Sequence, residues 1–269
     1  MLSNSVKILL FVCLMFISLD ADEIYELKTS KEIVLIAPII PLGVYGYAKT
    51  HSQKDFRVEE IDKLSRTDIN FFDRFATKYY SVPAKKASDY MMLACVVAPF
   101  TLNFDERVLN QYIEVNTIIV ESFLITSTLA TFTKVISQRK RPMVYNEDVG
   151  MNIRKDKENR YSFFSAHTAL AFNGAILTAK IYNDYHPDKN NKWLYATGIA
   201  TASTVGYLRL RAGKHYPTDI ITGAVVGTAS ALLVTEIHKK RVSPANISIS
   251  DNRVQNGVFT PSINLYLEW

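Results

Sequence analysis

A chain of 269 residues with 48% hydrophobic side chains can bury one sizeable core, so a single domain is the expected organisation. Its formal charge of +5 suits an anionic partner without naming one, and two cysteines exclude a fold built on disulfides. Mean hydropathy is only +0.02, which excludes a chain apolar throughout and leaves membrane spans to be sought segment by segment.

The first residues carry Lys7, the apolar run Ile8 to Leu19 and then the small Ala21, an order that predicts a secretory signal peptide over 1–21. The run is shorter than the ~20 residues of a membrane span. If Cys13 leaves with that peptide, Cys95 remains alone and no intrachain disulfide can form. Cys95 sits in the apolar run Met91 to Phe100 and reads as core filling. The region 22–110 is expected to supply amphipathic and apolar helices that pack on a bundle. Within it, Ile33 to Ala48 is apolar but interrupted by Pro38 and Pro41, which argues against an undisturbed helix. Lys49 to Arg66 is polar, and Asp68 to Lys85 mixes aromatic and charged residues as an interfacial helix would.

Residues 111–241 read as a core of four helices, over 113–136, 165–183, 192–209 and 218–238. Ile220 to Val234 is the strongest candidate membrane span; Asn116 to Thr133 contains Glu121, and Trp193 to Leu208 is rich in Ala, Thr and Ser, so both are marginal in lipid. The Arg139 to Phe164 loop is long and charged, whereas Asn183 to Lys192 is short enough to force an antiparallel return. In the tail, 242–269, apolar and polar residues alternate around Asn256-Gly257, a β-hairpin signal. The expected class is therefore all-α, a helical bundle with a short C-terminal β-hairpin, embedded in or hugging a membrane; a soluble exported bundle is the alternative.

Three groups of reactive residues stand at helix ends: Lys134 and Arg141; Ser165, Ala166 and His167; and Arg209, His215 and Asp219. An up-down-up-down bundle brings all three to one face. Lys134, Arg141 and Arg209 can neutralise phosphate oxygens, with guanidinium forks matching phosphate geometry. The Ser165 and Ala166 N-H groups at a helix N-terminus can add donors. One histidine can attack phosphorus while the other protonates the leaving oxygen. The spacing from His215 to Asp219 predicts that the carboxylate holds Nδ1 of His215 and frees Nε2 to attack. His215 is then the nucleophile and His167 the general acid. Neither a metal nor an organic cofactor is called for by this chemistry. His51, His186 and His238 read as surface or loop residues.

Lys134 to Pro142, Ser162 to His167 and Arg209 to Asp219 resemble the three signature motifs of the phosphatidic acid phosphatase type 2 superfamily, over residues 113–238, about half the chain. The resemblance implies the bundle of acid phosphatases and vanadium haloperoxidases, and a phosphohistidine intermediate at His215. The second motif departs from Pro-Ser-Gly-His, standing as Phe164-Ser165-Ala166-His167, and Leu208 replaces the serine that usually precedes Arg209. The expected activity is hydrolysis of a phosphate monoester or pyrophosphate, with a membrane lipid as the leading substrate. A nonspecific exported acid phosphatase ranks next, above a vanadate-dependent haloperoxidase and a non-catalytic scaffold. No nucleic acid is expected as partner. The basic cluster His238 to Arg241 follows the strongest span, so the positive-inside tendency puts it in the cytoplasm and the three groups on the exported face.

Overall fold

The computed structural model describes residues 23–240 and, for backbone only, the strands Ile247–Ser250 and Ser262–Leu265. Tyr25–His238 forms one compact unit. Seven main helices build it: α1 (Thr29–Ile36), α2 (Ile39–Ser52), α3 (Val82–Val97), α4 (Tyr112–Ser137), α5 (Ala166–Tyr185), α6 (Lys192–Arg211) and α7 (Pro217–His238). The last four begin and end within about two residues of the limits read from periodicity.

The prolines act as expected between α1 and α2: the helix breaks at Ala37 and Pro38, while Pro41 is tolerated in the first turn of α2, where its missing N-H costs no bond. The two pieces together reach spanning length, which the sequence reading passed over. Asp68 to Lys85 departs from expectation. Instead of one interfacial helix it forms a 3-10 turn, the short helix Phe71–Arg74, a second 3-10 turn and only then the start of α3. Asn70 and Ser81 cap these pieces through their side chains, so local side-chain acceptors compete here with a continuous helix.

Helix α5 is central and packs on α7, α6, α3 and α4, while α2 lies on α4. Small residues permit the close approach. A Cβ added at Gly223 or Gly227 of α7 would lie 2.6 Å from the Ser165 carbonyl oxygen or 2.0 Å from that of Ala169, so no side chain fits between α7 and α5. Cys95 of α3 is buried against Ala171, Ala175, Ala202 and Val205, in agreement with core filling.

Among the described residues, four stretches are long and apolar enough to cross a membrane: Thr29–Ser52, Val82–Phe104, Tyr112–Tyr145 and Pro217–His238, the last with the highest mean hydropathy, 1.8. Large apolar side chains such as Val34, Val44, Leu93, Val120 and Val225 point outward from them. The two terminal strands pair antiparallel, Ile247 opposite Leu265 and Ser250 opposite Ser262. The signal-peptide segment 1–21, Cys13, Arg241 and the Asn256-Gly257 turn lie outside the described residues.

Candidate active site

The three groups meet at one end of the bundle because each helix terminates there. Helix α4 stops at Gln138, whose left-handed φ of 42° turns the chain away while its N-H bonds the Lys134 carbonyl at 3.0 Å. Ser165 caps α5, its Oγ accepting from the Thr168 N-H at 3.4 Å. Helix α6 closes on Ala212 and Gly213, whose φ of +69° and tight approach to the Tyr79 carbonyl admit glycine alone. Pro217 opens α7, and Asp219, two residues on, reaches back to accept the Tyr216 N-H at 3.0 Å.

His215 is buried, and its Nδ1 lies 2.7 Å from the Ser162 carbonyl oxygen, which can only accept. The proton therefore sits on Nδ1, and Nε2 carries a free lone pair. This corrects the expected Asp219 contact: its Oδ2 stands 3.7 Å from Nδ1 and instead accepts from Ser162 Oγ at 2.6 Å. Asp219 thus fixes Ser162 and the start of α7, and Ser162 in turn orients His215. Burial, then the charges of Arg209, Arg141 and Lys134, hold the His215 imidazole well below its ordinary pKa, outweighing the Ser162 bond. It is neutral at physiological pH.

His167 is held down to about 2 by burial and by Arg209, His215, Lys134 and Arg141. Its Nε2 lies 3.0 Å from Asp89 Oδ1 of α3, yet that carboxylate does not offset the cations because Arg209 Nη1 shares it at 3.1 Å. Asp89 escaped the sequence reading, since nothing distinguishes it there from any polar residue in an apolar helix. Lys214, next to His215, escaped as well. Burial, with Arg141, Arg209 and Lys85 nearby, lowers its pKa to about 7.

Arg141 and Arg209 are buried, and within the described structure neither Nε finds a hydrogen-bond acceptor. Arg141 reaches only Glu158, at 3.8 Å. Lys134 and Arg141 line a cavity of about 150 Å³ together with Thr50, His51, Lys157 and Tyr161. The Ser165 N-H, expected to face an anion, donates instead to the Asp219 carbonyl at 3.1 Å. The open donors of this helix end are the N-H groups of Ala166 and His167.

A second group braces the site from below. Arg139 bonds Asp219 through one nitrogen and Asp73 through another, the latter at 2.6 Å, with its plane over the Tyr216 ring. Asp73, buried at the end of a short helix, also accepts the Thr218 N-H and hydroxyl at 3.1 and 2.6 Å. Burial alone would raise the Asp73 carboxyl, but the bonds from Thr218, Arg139 and Asn70 hold it below its ordinary value.

His51 is exposed and His186 lies in the loop after α5, both as expected, whereas the reading of His238 as a surface or loop residue is corrected. His186 is nonetheless 3% exposed, with Nε2 3.3 Å from an Asp105 carboxylate oxygen; His238 is 0% exposed, between Glu32 and Glu121.

The arrangement defines a helical, membrane-associated protein with a buried pocket of three cations and two neutral imidazoles at one bundle end. The chain matches the PAP2 superfamily over residues 116–243, a little under half its length. It is 28% identical over 119 residues to the undecaprenyl-diphosphatase of Sulfolobus acidocaldarius, covering 44% of this chain and 53% of that protein. It is 30% identical over 115 residues to the bacitracin transport permease protein BcrC of Bacillus licheniformis, covering 43% and 51%. The matches span about half the length of these curated relatives. Among solved structures, a transmembrane PAP2 type phosphatidylglycerolphosphate phosphatase from Bacillus subtilis aligns over 88% of this chain and 96% of its own, with 17% identity and a TM-score of 0.44.

Proposed function

We propose that the chain is a phosphohydrolase that cleaves a phosphate monoester or diphosphate of a membrane lipid through a phosphohistidine at His215. The observation that carries this reading is the pair of buried guanidinium Nε donors, on Arg141 and Arg209, that lack protein acceptors beside two neutral imidazoles. Such donors suit a tetrahedral oxyanion. The match to the PAP2 superfamily over residues 116–243 and the similarity to an undecaprenyl-diphosphatase support the same class.

In the proposed cycle, Lys134, Arg141, Arg209 and the Ala166 and His167 N-H groups hold the non-bridging oxygens. His215 Nε2 attacks phosphorus and the bond to the leaving oxygen breaks, with His167 giving that oxygen its proton. Water then attacks the phosphohistidine, His167 takes a proton from it, and orthophosphate and free His215 result. Because His167 is neutral in the free site, the proton it donates must arrive with the substrate, whose negative charge offsets the surrounding cations. The productive pair is therefore neutral His167 with a singly protonated phosphate, or its isomer with the proton transferred. With a second phosphate ionisation near about 6, kcat/KM on a phosphate monoester should fall about tenfold per pH unit above that value. His167→Ala should cost far less on an aryl phosphate, whose leaving group departs unprotonated, than on an alkyl lipid phosphate. A pH-independent kcat/KM up to pH 8, or equal losses on both substrates, would reject this role. A rate on a soluble aryl phosphate matching that on a lipid phosphate or diphosphate in mixed micelles would favour the nonspecific phosphatase reading.

The second element of the proposal is orientation, with the pocket on the exported face. It rests on the lysines that follow α7 at the opposite end. Single cysteines at Asn152 and Asn190, in a chain with both native cysteines replaced by alanine, can be probed in intact cells with an impermeant thiol reagent. Labelling at Asn152 alone is the expected result. Labelling at both positions would favour a soluble exported protein, and labelling at Asn190 alone would invert the topology.

A further inference from the structure

The end of the bundle remote from the pocket holds a second cluster that the phosphatase chemistry does not use. Glu32 of α1, Glu121 of α4 and His238 of α7 point their side chains at one another, with one candidate ligand atom from each within 4.8 Å of the other two. His238 Nε2 lies 3.1 Å from Glu32 Oε2 and 3.2 Å from Glu121 Oε2. At 1.5 Å per helical residue, Glu121 is about 20 Å along α4 from Lys134, and His238 about 28 Å along α7 from Asp219.

The tautomer of His238 is fixed by its other nitrogen. Nδ1 is 2.8 Å from the Val234 carbonyl oxygen, which only accepts, so Nδ1 bears a proton and Nε2 is the atom turned to the two carboxylates, within hydrogen-bond distance of both Glu32 oxygens at 3.2 and 3.1 Å. Two carboxylates converging on one imidazole nitrogen require a positive charge between them, a proton or a metal ion. Among the described residues no lysine or arginine forms an ion pair with Glu32 or Glu121; the nearby Lys31 is spent on Glu26 and the Ile237 carbonyl. Independently, Glu121 Oε2 is buried, on a side chain 8% exposed, and receives no hydrogen bond although it points into the cluster. An unpaired carboxylate oxygen inside an apolar bundle is costly.

We propose that Glu32, Glu121 and His238 bind one divalent transition-metal ion of the Zn2+ type, which clasps α1 to α4 and α7. Bonds of about 2.0–2.2 Å at a tetrahedral angle set neighbouring ligand atoms about 3.3 Å apart, close to the separations found from Nε2 to each carboxylate. A dication, two carboxylates and a neutral imidazole sum to zero charge, which suits burial. The bond from Nδ1-H to a backbone carbonyl is the usual orienting contact of a metal-bound histidine. Glu32, with 23% of its side chain exposed, gives the ion a way in. The ion supplies no step of catalysis; it fixes α1 on the bundle.

The test uses untagged full-length protein in detergent, stripped with EDTA, desalted and dialysed against Zn2+. One equivalent per chain and a raised Tm are expected, and Co2+ in place of Zn2+ should give the visible absorption of a tetrahedral site without thiolate bands. His215→Ala should keep the equivalent. Glu121→Gln and Glu32→Gln, each nearly isosteric, should each weaken Zn2+ binding by at least about tenfold and abolish the Tm rise. No uptake by the wild-type chain, or uptake unchanged in both variants, overturns the proposal. A Tm that follows pH and ignores Zn2+ would overturn it in favour of a proton shared by the cluster. Should both variants aggregate, wild-type stoichiometry and the Co2+ spectrum decide alone.

Discussion

Replacing His215 with alanine is expected to remove turnover by on the order of 10⁴-fold or more, because the proposed reaction has no other route through a covalent intermediate. The imidazole is neutral before substrate arrives, its Nδ1 proton is committed to the Ser162 carbonyl, which leaves Nε2 to attack, and it feels the charges of Arg209, Arg141 and Lys134 that would hold phosphate. Rapid quench with a substrate labelled in its phosphoryl group should trap acid-labile, base-stable label on the wild-type chain and none on the variant. Ser165→Ala, which removes only the α5 cap, should still be labelled. Label on a serine, or multiple turnovers by His215→Ala, would reject the nucleophile assigned here.

Arg139→Met is expected to have the largest effect on stability. Asp73 and Asp219 are both 0% exposed, and the guanidinium between them is the cation bonded to each. Removing one partner of a buried ionic group leaves charges uncompensated and costs about 3–5 kcal/mol, whereas an exposed pair would cost well under about 1 kcal/mol. Thermal or denaturant unfolding in bicelles should register a loss of that order. Adding Asp73→Asn to Arg139→Met should recover part of it, since one of the stranded carboxylates is then neutral. A loss below about 1 kcal/mol for Arg139→Met, or no recovery in the double variant, would show that the three side chains do not act as a unit. Turnover should fall as well, because Asp219 positions Ser162 and, through it, His215.

The four bundle helices were legible because their apolar period is long and their ends carry ordinary punctuation, Ser165 before α5 and Pro217 at the start of α7. Helix order then brought the three groups to one end without any knowledge of tertiary contacts. What failed was the inference from Asp219 to His215. A spacing of four residues brings side chains together only inside a helix, and His215 precedes the first turn of α7. The partner it actually meets, the Ser162 carbonyl, is distant in sequence and is a backbone atom, so no residue type advertises it. Asp73, Asp89 and Arg139 were missed for a related reason. Asp73 lies where the chain turns through short helices with no regular period, and Asp89 stands on α3 as one polar residue of an apolar helix. His238 misled differently: beside a run of lysines it reads as exposed, and only Glu32 and Glu121, from two other helices, account for its burial.

The missing side chains at Gly223 and Gly227 bear on the chemistry although neither residue approaches a phosphate. The backbones of α5 and α7 touch there, the first against Ser165 and the second against Ala169. Helix α5 carries His167 and α7 follows directly on His215, so the gap between the proposed acid and the proposed nucleophile is set by the thickness of two bare main chains. Gly227 lies about 12 Å along the helix from Asp219. A single methyl group there would act as a wedge, tilting the helices like the jaws of a clothes-peg and spreading the imidazoles apart at the far end. The lipid-facing sides of the same helices can drift among apolar residues with little consequence, whereas at this seam even alanine is a large residue.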